Sequence, residues 1–190
     1  MSASTLQSAV SAAPSTARVI ANFLLFQLGW FTAVLGGAHG LPLTGTAVAL
    51  SIVVFHLASA PRPLPEFALI GIATAVGAAW DSLLVATGWL VFASGTLVPG
   101  TAPVWIVAMY ALFATTLNVS LNWLKGRYLI AALFGAIGGP LAYYAGMTLG
   151  AVVIPDLPIA MITLAMGWGV LMPALMMLAR RFDGISGTVR

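Results

Sequence analysis

The sequence predicts an all-α membrane protein, a bundle of six transmembrane helices with the fifth broken at a Gly-Gly-Pro. Three observations predict it. Hydrophobic residues make up 61% of the chain and charged residues only 6%, with a mean hydropathy of +1.07; a soluble domain carries about 25% charged residues. Apolar runs of about 20 residues recur along the whole length, each enough to cross a hydrocarbon core of roughly 30 Å. Finally, the basic residues stand singly or in pairs at the ends of those runs. With six spans, Arg18, Arg62, Lys125, Arg127, Arg180, Arg181 and Arg190 all fall on one side of the membrane. Basic loops mark the cytoplasmic face, so both termini are expected in the cytoplasm.

Residues 1–17 are rich in Ser, Ala and Thr and are expected to be disordered or to lie on the surface. The apolar run that follows is too long for a cleaved leader. The first span runs from about Val19 to Gly37 and carries Asn22, Gln27 and Trp30. The second covers about Thr44–Ser59, with His56 near its end, and Pro61-Arg-Pro-Leu-Pro65 then forms a turn that no helix crosses. Glu66 opens the third span, which reaches about Gly88 and contains Asp81.

Trp89–Ala102 is too broken by Ser94-Gly95 and Pro99-Gly100 to span, and reads as a loop or a re-entrant segment. Counting it as a span would put Lys125 and Arg127 opposite Arg18 and Arg62. The fourth span is expected over about Pro103–Leu124 and the fifth over Leu129–Gly150. Pro140 removes a backbone donor from the middle of that fifth helix and crowds the preceding turn. A sixth span ends at Arg180-Arg181, and residues 183–190 form a cytoplasmic tail. The tight Lys125-Gly126-Arg127 turn predicts that spans four and five are antiparallel neighbours. Thr115 or Asn118 would then donate to the carbonyls that Pro140 leaves free. The small residues Gly135, Gly139, Ala142, Gly146 and Gly150 recur at helical spacing and invite close helix contact.

Asp81 is the only acidic residue inside a span. Fifteen residues separate it from Glu66, which at about 1.5 Å per residue carries it into the outer half of the bilayer. No Lys or Arg reaches that depth, so the carboxyl must be solvated from outside, kept neutral, or held by neutral donors. Tyr110, Tyr143 and Tyr144 lie at a similar level, and with Trp30 they complete a candidate intramembrane pocket. The competing interpretation is a carboxylate that caps a tyrosine cluster near the interface. Thr115, Asn118 and Asn122 form a candidate polar stripe on span four, which either repairs the Pro140 kink or lines a groove.

The two histidines lie at opposite faces and cannot share a metal, so no metal site and no cofactor are expected. His56 reads as a histidine bonded within the bundle. Trp30, Trp80 and Trp168 lie deep and are expected to pack. A net charge of +3 spread over span ends is not a nucleic-acid footprint. No Gly-x-Ser-x-Gly elbow or phosphate-binding loop is present, which leaves little catalytic inventory.

Several segments carry a resemblance. Asn22-Phe-Leu-Leu-Phe-Gln27 with Gly29-Trp30, Trp80-Asp81-Ser82-Leu83, Ala102-Pro103-Val104-Trp105 and Leu112-Phe-Ala-Thr-Thr-Leu117 are among them. The most specific is Gly135-Ala-Ile-Gly-Gly-Pro-Leu-Ala-Tyr143 with Ala145-Gly146. Together they resemble the bacterial inner-membrane proteins of domain-of-unknown-function family 2878. The resemblance implies fold and location. Through genes often found beside methyltransferases similar to cyclopropane-fatty-acid synthases, it also implies a link to acyl-chain modification. The expected role is assistance in fatty-acyl or phospholipid modification, with membrane lipids and a lipid-modifying enzyme or another membrane subunit as partners. The alternatives are a small-molecule-binding transport subunit and a structural assembly factor.

Overall fold

A computed structural model describes residues 14–186. Six helices account for most of them: α1 Thr16–Ala38, α2 Pro42–Ala58, α3 Pro63–Ala86, α4 Val104–Leu117, α5 Tyr128–Thr148 and α6 Leu157–Arg181. Two short strands, β1 Val91–Phe92 and β2 Val152–Val153, pair antiparallel. The helix starts are written locally. Ser15 caps α1 by accepting from the Arg18 amide at 3.3 Å. Prolines occupy the first turns of α2, α3 and α6, where a missing N–H costs nothing. Asp156 caps α6 by accepting from the Ile159 amide at 3.2 Å.

Four helices, α1, α3, α5 and α6, are long and apolar enough to cross a membrane, while α2 and α4 are apolar but shorter. The apolar outer surface fits that property: Leu24, Phe55, Leu64, Leu129 and Val170 are all exposed. Helix α4 is the inner member, packed against α1, α2 and α3, with most of its residues buried.

The fourth helix ends at Leu117, seven residues before the expected Leu124. The Thr115 and Thr116 hydroxyls donate back to the Leu112 and Phe113 carbonyls at 2.7 Å each. The Thr116 carbonyl then accepts from both the Val119 and Leu121 amides, which turns the chain out of the helix. Asn118 becomes the cap, and Asn122 opens a separate 3₁₀ turn. The expected stripe of Thr115, Asn118 and Asn122 on one helix is therefore not formed.

Helix α5 is also not broken at Gly138-Gly139-Pro140; its helical backbone is continuous through Pro140. Its neighbour is α6 rather than α4, despite the short connection to α4. The cause is steric. A β-carbon on Gly135 would collide with the Trp168 carbonyl and sit 2.6 Å from Met172 Cβ, and one on Gly139 would overlap the Trp168 ring. Glycine lets the α6 backbone and indole settle directly on α5, and this contact supports the helix on both sides of the proline. The small residues do make a close helix contact, but with a different partner.

Charge separates the two ends of the bundle. At one end Arg18 donates to the Ser59 carbonyl at 3.2 Å and Arg62 to the Ser186 carbonyl at 3.0 Å. Lys125 pairs with Asp183 at 2.7 Å, and Arg180 donates to the Tyr128 hydroxyl at 2.8 Å. Arg127 and Arg181 lie at the same end, beside the start of α5 and at the end of α6. The other end is closed by β1 and β2 and the loop that follows β1. There Ser94 Oγ donates to the Gly37 carbonyl at 2.6 Å and Trp105 Nε1 to the Ser94 carbonyl at 3.0 Å. Gly95 makes the turn at φ +87°, and a β-carbon on it would lie 2.7 Å from Pro42 Cβ. Trp89–Ala102 is thus a folded cap on the end that carries no basic residue among those described.

Candidate functional site

Asp81, on α3, is completely buried. Tyr110 reaches it from α4 and Tyr143 from α5: their hydroxyls donate to Asp81 Oδ1 at 3.2 and 2.5 Å and lie 3.4 Å from each other. Gly77, one turn before Asp81, makes this approach possible, because any β-carbon there would overlap the Tyr110 ring. Neutral phenols hold the carboxyl, and no ion pair reaches it among the described residues. Its second oxygen, Oδ2, has no partner.

Beside this cluster lies a cavity of about 390 Å³. Trp30 and Phe26 wall it from α1, Met109 and Phe113 from α4, and Gly138 and Ala142 from α5; Asp81, Tyr110 and Tyr143 belong to the same wall. A β-carbon on Gly138 would meet nothing within 4 Å, so the absent side chain is part of the open space. Helices α1 and α5 share the cavity without packing against each other. Phe23 of α1 and Phe134 of α5, 52% and 41% exposed, line it as well and mark a mouth between the two helices.

Of the pocket expected from sequence, Asp81, Trp30, Tyr110 and Tyr143 are brought together. Tyr144 is not: it is 46% exposed and does not line the cavity, because the next residue on a helix points about 100° away. Trp168 was expected only to pack. It does stack on Tyr110, with ring centroids 6.0 Å apart and planes 6° from parallel, but it also lines the cavity, and its Nε1 is buried without a partner. An orphaned indole N–H has no signature in sequence.

A second polar cluster lies at the charged end. Glu66, also fully buried, accepts from the Asn118 amide at 2.5 Å and the Gly184 amide at 2.9 Å, and bonds His56 Nε2 at 2.8 Å. Asn118 donates in addition to the Phe182 carbonyl at 3.0 Å. His56 is bonded within the bundle, as expected. Thr115 instead bonds its own helix and accepts from Asn22 at 3.5 Å, while Asn122 belongs to neither cluster. No donor from Thr115 or Asn118 goes to α5. Of the expected tail from residue 183, the described part, as far as Ser186, folds onto this cluster: Ile185 is buried against Ala60 and Val119. Burial alone would raise the Asp183 carboxyl, but the Lys125 ammonium and the Ser186 amide hold it below its ordinary 3.8. Among the described residues, no three His, Asp or Glu side chains converge as metal ligands.

Apolar helices of membrane-crossing length, set around an apolar cavity with one buried carboxyl, define a class: helical proteins built for a membrane. The chain belongs to the family described as "Protein of unknown function (DUF2878)", whose model matches residues 19–174. No curated protein and no solved structure matches it.

Proposed function

We propose that this is an inner-membrane protein whose six helices all cross the bilayer, with the basic end and both termini in the cytoplasm. In this reading it holds the acyl chain of a membrane lipid in the cavity between α1 and α5. It thereby assists fatty-acyl or phospholipid modification by a partner enzyme or membrane subunit. The observation that carries the proposal is the cavity itself, with apolar walls and exposed aromatic residues at its mouth. A mouth between two lipid-facing helices admits a chain laterally, without passage through water. The gathering of the described basic residues at one end supports the orientation. The shorter α4 fits because it is surrounded by other helices and its ends need not reach the lipid headgroups.

Gly138→Phe tests this reading, because the new ring has only the cavity to enter. Wild-type protein purified from membranes should retain about one lipid per chain by native mass spectrometry, in the range expected of a well-formed pocket. The variant should fold, with an unchanged melting transition, and lose that lipid. Wild-type protein without bound lipid, or a variant that retains it, would refute the proposal.

A further inference from the structure

We infer that the molecule taken by this cavity has a neutral hydroxyl head, the chemistry of a long-chain alcohol or an acylglycerol, and that the head docks between Asp81 and Trp168. This rests on the reading that the cavity holds an acyl chain, and adds what the chain must carry.

The argument begins with protons. A phenol has one proton, and Tyr110 and Tyr143 both direct theirs to Asp81 Oδ1. Their oxygens therefore face the remaining space as acceptors. With the carboxyl ionised, Asp81 Oδ2 is a further acceptor, buried and unpartnered, and Trp168 Nε1 is a donor in the same condition. Both flank one ring, since Tyr110 bonds the carboxyl and stacks on the indole. Each orphan is costly in an apolar interior until it finds a partner.

A hydroxyl can donate to a carboxylate and accept from an indole N–H, so it suits either orphan. A carboxylate or phosphate head could accept from Trp168 but would meet Asp81 with nothing to donate, and no Lys or Arg lines the cavity. An ammonium head could donate to Asp81 but would leave Trp168 unanswered. The Asp81–Trp168 pair thus selects against anions most strongly and against cations next.

Photo-crosslinking in phosphatidylcholine nanodiscs tests the inference. Three probes share one diazirine-bearing chain and end in an alcohol, a carboxylate or an amine. Labelling of cavity peptides around Trp30 and Met109 should be about tenfold higher for the alcohol, the advantage one satisfied hydrogen bond confers. Asp81→Asn, whose carbonyl oxygen keeps both phenol donors and so puts an amide N–H where Oδ2 stood, should reduce that preference. Trp168→Phe should do the same. Equal or stronger labelling by the carboxylate or the amine would overturn the assignment of the head while leaving the acyl-chain reading intact. Absence of cavity labelling by all three would overturn both. Competition by unlabelled hexadecanol or by monoacylglycerol would sustain the inference and identify the source of the hydroxyl.

Discussion

At the scale of single residues, two buried carboxyls on α3 show what a sequence discloses and what it hides. Asp81 is legible because it is an acid deep in an apolar run, and counting turns places tyrosines at its level. Glu66 is not legible, because an acid just after Pro65 looks like an ordinary helix start. Its partners Asn118 and Gly184 lie 52 and 118 residues away. Asn118 carries more than the expected kink repair, since it serves Glu66 and the Phe182 carbonyl together. Asn118→Leu should therefore cost about 1–3 kcal/mol, the range for leaving a buried hydrogen-bonding group unsatisfied, measured by denaturation in mixed micelles. Asp183 gives a second test. Its folded value lies below 3.8, so its contribution to docking the Phe182–Ser186 segment is complete above that pH. It fades only as the pH falls through the lower folded value. Exchange protection of the Ile185 and Ser186 amides, corrected for intrinsic rates, should be constant from about pH 8 to 5 and be lost only as the pH falls well below the ordinary carboxylate value of 3.8. Lys125→Ala should move the loss to higher pH.

At the scale of elements, helix existence was legible from apolar runs and prolines, whereas pairing was not. A short connection between α4 and α5 suggested neighbours, but the glycines at 135 and 139 fit Trp168 so closely that α6 takes the place beside α5. The end of α4 was missed because Thr115, Asn118 and Asn122 read as a polar face. The Thr115 and Thr116 hydroxyls instead bond carbonyls of their own last turn, and Asn118 turns to Glu66 and the Phe182 carbonyl. This separation has a measurable consequence. If Asn118 repaired the proline site, Asn118→Leu and Pro140→Ala would be coupled. Because Asn118 bonds α3 and the segment after α6, the two changes should add within about 0.5 kcal/mol in a double-mutant cycle. Coupling above 1 kcal/mol would restore the original pairing. Strands β1 and β2 had no signal in a sequence read by apolar length, since two residues each are too short to show a period.

At the scale of the whole molecule, segregation of charge was the most legible feature, because it depends only on the number of crossings. The chain has no cysteine, so single cysteines report sidedness cleanly. Cysteine at Ser59 or Arg127 should resist a membrane-impermeant thiol reagent in intact cells, and cysteine at Leu41 or Leu97 should react. Reaction at Arg127 from outside would reverse the topology. The contacts also divide the helices into two bodies: α1 to α4 pack mainly on one another, and α5 with α6. The strand pair joins them at one end, and the Lys125–Asp183 and Glu66–Gly184 contacts at the other. This division bears on biogenesis. A ribosome delivers α1 to α4 first, so Asp81 and Tyr110 are in place before Tyr143 and Trp168 have been made. If the cavity holds an acyl chain as proposed, the last hairpin closes it over whatever lies against α4, and a lipid would be enclosed during assembly as well as admitted afterwards.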